Sequence, residues 1–169
     1  ISWIVIIGLI GVFVATFILY RLIVNRPTLN IADFTQQESS IIYDSNNEVI
    51  ANLGSIIRTN VDYEDVPDVV IDAFVAVEDS RFFEHNGFDL PRFSKAILVN
   101  IVERDFSQGG STFTMQLVKN TYFTNDDTGE EASRSGVSGI QRKAQEIALA
   151  IALETLKSKQ DILVSYLNK

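Results

Sequence analysis

The most apolar part of the chain is its N-terminal end. Ser2 to Tyr20 contains no charged residue, and a helix of that length is about enough to cross a hydrocarbon core of ~30 Å. Trp3 and Tyr20 stand near its ends, where amphipathic aromatic rings favour the membrane–water interface. A cleaved signal peptide and a buried core helix are the alternatives, but a signal core is usually shorter and no small-residue cleavage site follows. The pattern predicts a membrane anchor over residues 1–24.

The next segment, residues 25–60, is predicted to be a linker that contains a β-hairpin. Residues 28–40 are polar and mixed in character. Two strand-like runs, Ile41–Asp44 and Glu48–Leu53, flank an Asn-rich turn at 45–47. Since two strands alone are barely stable, the hairpin is expected to pack on another part of the chain.

The pattern becomes helical in residues 61–169, the predicted folded domain. Apolar residues recur at helical spacing in five stretches, which begin near Pro67, Asp89, Ser111 or Thr112, Gln141 and Asp161. The first two stretches carry apolar stripes, formed by Val69, Val70, Ala73, Phe74 and Val77 and by Phe93, Ala96, Ile97 and Ile101. Asp89 is predicted to cap the second helix, and Ser158 with Asp161 predicts a capping box for the last.

Two further segments complete this interpretation. Asn125 to Gly139 is rich in Gly, Ser, Asp and Glu without periodicity and is predicted to be a loop. Ile147 to Leu153 is apolar almost all round and is predicted to be buried.

Composition and charge narrow the functional classes. The chain has 169 residues, a net charge of −8 and no cysteine. It therefore has no disulfide, no zinc–thiolate site and no cysteine nucleophile. Nucleic acid is not an expected partner, because phosphate contacts need Lys and Arg. A basic cluster within this acidic chain is correspondingly more informative.

The first group of reactive residues follows the first predicted helix of the domain. Glu78 and Asp79 form a carboxylate pair near the helix end, with Phe82 and Phe83 close by. A carboxylate among apolar groups keeps its proton more readily, which suits proton transfer. The alternative is a helix end with a salt bridge from Arg81 to Glu78 or Glu84. Similarly, the lone histidine, His85, is more often a hydrogen-bonded structural residue than a catalyst.

Two more groups contain cations and anion-binding backbone. Gly109 to Thr112 precedes a helix, where backbone N–H groups attract anions, and Gln116 and Lys119 follow within it. The same glycines, serine and threonine also suit an ordinary helix cap. In the third group, Arg142 and Glu146 share a helix face, beside Lys143. The alternative there is a surface ion pair of little energetic value.

Taken in order, these groups resemble one family, the peptidoglycan glycosyltransferases. These are the transglycosylase domain of class A penicillin-binding proteins and the monofunctional transglycosylases. The matching positions form four ordered blocks over about residues 41–168: Glu78, Asp79, Phe82, His85, Gly87 and Asp89; Gly109 to Thr112, Gln116, Leu117, Lys119 and Asn120; Arg142, Lys143 and Glu146; Lys159, Ile162, Leu163 and Tyr166 to Asn168. The resemblance assigns residues 61–169 to that domain.

The resemblance implies a fold, a reaction and residue roles. The expected fold is mainly α and lysozyme-like, with an N-terminal transmembrane helix and a small β-hairpin linker. The expected reaction polymerises lipid II into β-1,4 glycan strands by a single inverting displacement, releasing undecaprenyl pyrophosphate. Glu78 matches the catalytic base, and Glu146 matches a second acidic residue at the donor pyrophosphate. The expected substrate-binding residues are Asp79, Phe82, His85, Gly110, Ser111, Thr112, Gln116, Lys119, Asn120, Arg142 and Lys143.

The resemblance also implies a cellular location, binding partners and cofactor requirements. The expected location is the bacterial cell membrane, crossed once, with the catalytic domain on the extracytoplasmic face. The expected partners are lipid II, the growing glycan chain, membrane lipid and other cell-wall synthesis and division proteins. No cofactor is expected to be required, although the resemblance allows Mg²⁺ or Mn²⁺ at Glu146. Phe113, Leu117, Val118, Tyr122 and Phe123 are expected either to touch the membrane or to pack in the core.

Three features depart from the family pattern. Met115 replaces the first of two glutamines and is expected to remove a polar contact from the cleft. The loop from Thr124 to Gly139 looks longer than the family norm. The chain ends at the fourth block, which predicts a piece of a longer protein.

Two other functions fit parts of the sequence. A lysozyme-like glycan hydrolase would also use one acidic catalyst, so Glu78 alone does not exclude it. Lys119, Arg142 and Lys143 argue against it, because a hydrolase has no pyrophosphate to bind. A non-catalytic membrane-anchored cell-wall scaffold is the second alternative.

Overall fold

The chain is mainly helical. The computed structural model describes residues 2–35, 40–53, 59–103, 109–124 and 136–169. Within them lie helices α1 to α6 and one two-stranded sheet: α1 (Ser2–Ile23), β1 (Ser40–Tyr43), β2 (Val49–Leu53), α2 (Asp68–Glu78), α3 (Leu90–Glu103), α4 (Phe113–Tyr122), α5 (Gly136–Glu154) and α6 (Lys159–Leu167). The predicted architecture, an apolar N-terminal helix, a small hairpin and a helical domain, is confirmed.

Helix α1 is long and apolar enough to cross a membrane. Its segment Trp3–Ile23 has a mean hydropathy of 2.6, and no residue of its most apolar stretch is buried within the described part of the chain. The end of α1 contacts α5, where the Gln145 side chain donates to the Leu22 carbonyl at 3.2 Å. The apolar helix is therefore joined directly to the helical domain.

The predicted hairpin is confirmed, although its expected packing is not found. Strands β1 and β2 are antiparallel, with Ser40 opposite Leu53 and an irregularity after Ile42. In the turn, the Asp44 carboxylate accepts the backbone N–H groups of Glu48 and Asn46, which lower its pKa. The described side chains of β1 are largely exposed, so that strand does not pack closely on the described part of the domain.

The core is assembled around α4, which contacts both α5 and α6. Its buried members include Ile71, Phe82, Phe113, Met115, Leu117, Val118, Leu149, Ala150, Leu153, Ile162 and Leu163. Phe34, within the predicted linker, also belongs to this core. Its ring packs edge-to-face against the Tyr122 ring, with 5.7 Å between the ring centres. The segment before the hairpin is therefore partly integrated into the domain.

The predicted helix caps are confirmed. The Asp89 carboxylate accepts the N–H of Arg92 at the start of α3, and the Thr112 hydroxyl accepts the N–H of Met115 at the start of α4. Ser158 and Asp161 form the capping box of α6. Each cap satisfies backbone N–H groups that the first helical turn leaves without partners.

Two predictions about α5 are wrong in part. The helix begins at Gly136, so the end of the predicted loop is helical; residues 125–135 lie outside the described part. Ile151 is 43% exposed, although Leu149 and Leu153 are buried. The apolar centre of α5 is thus buried on one side only.

The apolar stripe of α2 does not face the core, and that of α3 does so only in part. Val69 is 72% exposed, Val77 78% and Ile101 68%, whereas only Ile71 on α2 and Ala96 on α3 are buried among the described side chains. Conversely, Phe113, Leu117 and Val118 on α4 are buried, with Tyr122 and Phe123 packed against them. Core packing is therefore the correct interpretation for Phe113, Leu117 and Val118, which are too buried to touch a membrane, and Tyr122 and Phe123 pack against the same core while remaining partly exposed.

Candidate active site

Glu78 is the last residue of α2 and is half-buried. The Gln116 side-chain amide, from α4, donates to its Oε2 atom at 3.1 Å. A cavity of about 230 Å³ beside it is lined by Ala73, Phe74, Val77 and Glu78 itself. The Glu78 carboxylate thus lies beside an apolar wall and accepts one hydrogen bond, from the Gln116 amide.

Arg81 does not pair with Glu78. Its guanidinium contacts Glu84 at 2.9 Å and Asp89 at 3.3 Å, and these carboxylates raise its pKa, Glu84 first. Of the two salt bridges proposed for this helix end, only the one to Glu84 forms. Among the described residues, the Glu78 carboxylate therefore accepts its side-chain hydrogen bond from Gln116 and not from Arg81.

Asp79, next to Glu78, is completely buried and belongs to a network beneath the site. Its carboxylate accepts from His85 Nε2 at 3.0 Å, from Arg92 at 3.2 Å and from the backbone N–H of Phe113 at 3.0 Å. These bonds join the end of α2 to the starts of α3 and α4. We assign Asp79 and His85 to holding the site together, which is the structural interpretation given for the lone histidine.

Phe82 and Thr112 support the same region from inside. Phe82 is fully buried, with its ring edge-to-face against Phe113 at 5.3 Å. Thr112 is also fully buried and donates to the Gly87 carbonyl at 2.8 Å. A Cβ on Gly110 would lie 3.2 Å from the backbone of Phe93. The structure therefore places these residues in the framework of the site; direct contact with a substrate stays a prediction.

A cationic cluster lies at the start of α4 and the first turns of α5. Lys143 Nζ donates to Ser111 Oγ at 2.6 Å and contacts Glu146 Oε2 at 3.0 Å. Arg142 pairs with the other oxygen, Oε1, of the same carboxylate. The Glu146 side chain is only 1% exposed. Among the described residues, two cations therefore share one buried carboxylate beside Ser111.

The surroundings of Glu146 do not fit a divalent cation. Both carboxylate oxygens already contact cationic side chains, which repel a metal ion. Among the described residues, there is no group of three or more His, Cys, Asp and Glu side chains that would hold one.

Lys119 and Asn120 lie half-buried near the end of α4, about one turn beyond Gln116. Met115, on the same helix, is fully buried in the core. The expectation that Met115 removes a polar contact from the cleft is wrong, because its side chain does not point towards a cleft.

The sequence did not indicate the side-chain partners of three residues close to the site: Tyr166, Glu154 and Lys159. Tyr166 Oη donates to Gln116 Oε1 at 3.2 Å. Glu154 accepts from Thr114 and pairs with Lys159 at 2.7 Å, whose Nζ lies 4.4 Å from the centre of the Phe82 ring. Tyr166 and Lys159 belong to the fourth matching block, but no local spacing indicates their partners.

Comparison with known proteins agrees with this arrangement. The sequence model of a family described as transglycosylase matches residues 46–169. The chain belongs to the transglycosylase family. Its lysozyme-like helical fold and both groups of polar residues around α4 lie within the matched region.

Several relatives of this transglycosylase chain are penicillin-binding proteins. It is 39% identical over 145 residues to penicillin-binding protein 1A/1B of Bacillus subtilis, covering 86% of this chain and 15% of that protein. It is 42% identical over 143 residues to penicillin-binding protein 1A of Streptococcus pneumoniae, covering 85% of this chain and 19% of that protein. The chain thus spans less than a quarter of the length of these relatives.

Proposed function

We propose that this chain catalyses glycosyl transfer in peptidoglycan synthesis, with lipid II as substrate and a β-1,4 glycan strand as product. The observation that carries the proposal is the arrangement around α4. Gln116 holds the carboxylate of Glu78 at one position, and Ser111, just before the helix, contacts the cationic Lys143. A base and an anion site thus meet at the same end of one helix.

Glu78 serves as the general base in this proposal. It takes the proton from the 4-hydroxyl of the incoming lipid II sugar as that oxygen attacks the anomeric carbon of the growing chain. The new C–O bond forms while the bond to the pyrophosphate oxygen breaks, so the configuration inverts. The electron pair of the broken bond leaves with undecaprenyl pyrophosphate. Glu78 ends the step protonated.

Lys143 and Arg142 stabilise the leaving group. Negative charge develops on the pyrophosphate oxygen as the bond breaks, and cations fixed in advance lower the energy of that state. Glu146 contacts both cations and holds them in place. Ser111, Lys119 and Asn120 are proposed to add polar contacts to the same substrate.

The position of α1 supports a lipid-linked substrate. Gln145, which bonds to the end of α1 at Leu22, lies between Lys143 and Glu146 in sequence. If α1 spans the membrane, the cationic cluster lies near the membrane surface, where a lipid pyrophosphate is found. The exposed apolar faces of α2 and α3 are proposed to contact lipid. We place the domain on the extracytoplasmic face of a bacterial membrane.

The experiment compares two substrates. The protein in liposomes is incubated with labelled lipid II and, separately, with purified cell-wall glycan. Polymer formed from lipid II, with stoichiometric undecaprenyl pyrophosphate, supports the proposal. Soluble fragments released from cell-wall glycan instead identify a hydrolase, and lipid II that binds without turnover identifies a scaffold.

A further inference from the structure

A chain of two hydrogen bonds leads from α6 to Glu78. Tyr166 Oη donates to Gln116 Oε1 at 3.2 Å, and Gln116 Nε2 donates to Glu78 Oε2 at 3.1 Å. Gln116 is 38 positions from Glu78 and Tyr166 is 50 positions from Gln116. Three separate helices therefore meet at one amide group.

The tyrosine is suited to act only as a donor here. Burial raises the pKa of Tyr166 above its usual value of 10.0, and the charge of Glu78 raises it further. The phenol therefore keeps its proton in the ordinary pH range. Its ring is fixed edge-to-face against Phe113 at 4.7 Å, so the hydroxyl has little freedom to move away from Gln116.

The two ends of the amide are chemically different, which makes its orientation important. The oxygen accepts and the nitrogen donates. A rotation of the amide by half a turn would place its oxygen against the carboxylate of Glu78, where two acceptors repel. A donated bond from Tyr166 to the amide oxygen stabilises the productive orientation.

We propose that Tyr166 is a positioning residue for the base: it orients the Gln116 amide so that the amide donates to ionised Glu78. Tyr166 itself does not touch the substrate. This inference rests on the proposed role of Glu78, and it adds a residue on a different helix that fixes the orientation of the donor to the base.

The first test is the steady-state kinetics of polymerisation in Tyr166→Phe. Removal of the hydroxyl lowers kcat about five- to tenfold, as expected for one hydrogen bond, while KM for lipid II changes by less than about twofold, because Tyr166 does not touch the substrate. The matched control is Tyr122→Phe, whose hydroxyl contacts Asn30 and Asp33 instead and whose kcat stays in place. An unchanged kcat in Tyr166→Phe, or a loss no larger than that of Tyr122→Phe, would overturn the inference.

The second test is a double-mutant cycle. In a Gln116→Met background, Tyr166→Phe is expected to change kcat/KM by less than about twofold, since the residue through which it acts is absent. Independent, multiplicative effects of the two substitutions would contradict the inference.

The third test does not depend on turnover and separates this inference from the proposed function. In the unsubstituted protein in detergent, the Gln116 side-chain amide proton resonances are expected to change as Glu78 is titrated. In Tyr166→Phe this response is expected to be weaker or lost. An equal response in both proteins would overturn the role of Tyr166, even if no polymer is made from lipid II.

Discussion

The backbone N–H of Phe113 donates to the buried carboxylate of Asp79 at 3.0 Å, across 34 positions of sequence. Asp79 directly follows Glu78, and Phe113 is the first residue of α4. The bond therefore fixes the proposed base relative to the helix that carries Gln116. His85 and Arg92 complete the environment of the same carboxylate.

Asp79→Asn is expected to destabilise the domain. The substitution removes the negative charge that faces Arg92 and His85, and breaking a buried ion pair typically costs about 3–5 kcal/mol. The measurement is the free energy of unfolding in detergent. The control is Asp72→Asn on the exposed side of α2, which is expected to change stability by less than about 0.5 kcal/mol. Equal stability of the two variants would remove Asp79 from the framework of the site.

Gly87→Ala is expected to destabilise the chain by more than about 2 kcal/mol. Gly87 has φ +85°, and a Cβ there would lie 2.6 Å from the Ala150 carbonyl oxygen. Alanine in this backbone region is strained, and the nearest atoms belong to the backbone of α5 rather than to a flexible side chain. Gly109→Ala is the control, because no atom of the described residues lies within 4 Å of its Cβ position. Thermal unfolding compares them, and a Gly87→Ala variant as stable as Gly109→Ala would contradict the close packing of this turn against α5.

Ser158→Ala is expected to lower stability by about 1 kcal/mol at pH 7, through loss of the helix cap. The Ser158 hydroxyl is the main cause that lowers the pKa of Asp161 from 3.8. A carboxyl group whose pKa is lower in the folded than in the unfolded protein stabilises the folded protein at pH values above its unfolded-state pKa. That stabilisation is lost as the pH falls through the folded-state pKa. The difference from the unsubstituted protein should therefore shrink below about pH 4.

Unfolding temperatures of the Ser158 variant at pH 7 and pH 3 make this comparison. A residual difference is expected at pH 3, because the hydroxyl still accepts the N–H of Asp161. Thr155→Val serves as a control without a carboxylate partner. A difference that stays the same at both pH values would show that the Asp161 carboxylate contributes nothing to the cap.

Lys143→Met is expected to weaken binding of a soluble lipid pyrophosphate about tenfold. The lysine is a charged donor beside Ser111, and a charged hydrogen bond to phosphate is roughly twice as strong as a neutral one. Lys157→Met is the matched control, since Lys157 also donates to a serine hydroxyl, that of Ser165, at 3.1 Å. Titration calorimetry gives both affinities. Equal affinities for the two variants would rule out the cationic cluster as the anion site.

Local signals in the sequence were sufficient for several elements. The capping residues Asp89, Thr112 and Ser158 act within one turn of a helix, so their spacing alone predicts the structure. The turn between the strands is likewise local, because Asp44 contacts only residues that follow it closely. Resemblance supplied the expected base and cations. The structure places Glu78 and Lys143 near the start of α4, through Gln116 and Ser111, whereas Lys119 lies near its end.

The features that were missed depend on long-range packing. Periodicity shows that α2 has an apolar stripe but not what the stripe faces, and Val69 and Val77 prove to be exposed. In the same way, Met115 looks like a replaced polar contact in sequence but lies in the core. The partnership of Tyr166 with Gln116 spans 50 positions, and no periodic pattern predicts which two side chains meet at that distance.

The most direct test of the account is the synthesis of glycan from labelled lipid II in liposomes by the unsubstituted protein and by Glu78→Gln. Glutamine keeps the shape of the side chain and an oxygen that can accept from Gln116, so the unfolding temperature should be unchanged. A ladder of glycan strands is expected from the unsubstituted protein and none from the variant. A full ladder from a folded Glu78→Gln variant would contradict the assignment of Glu78 as the base.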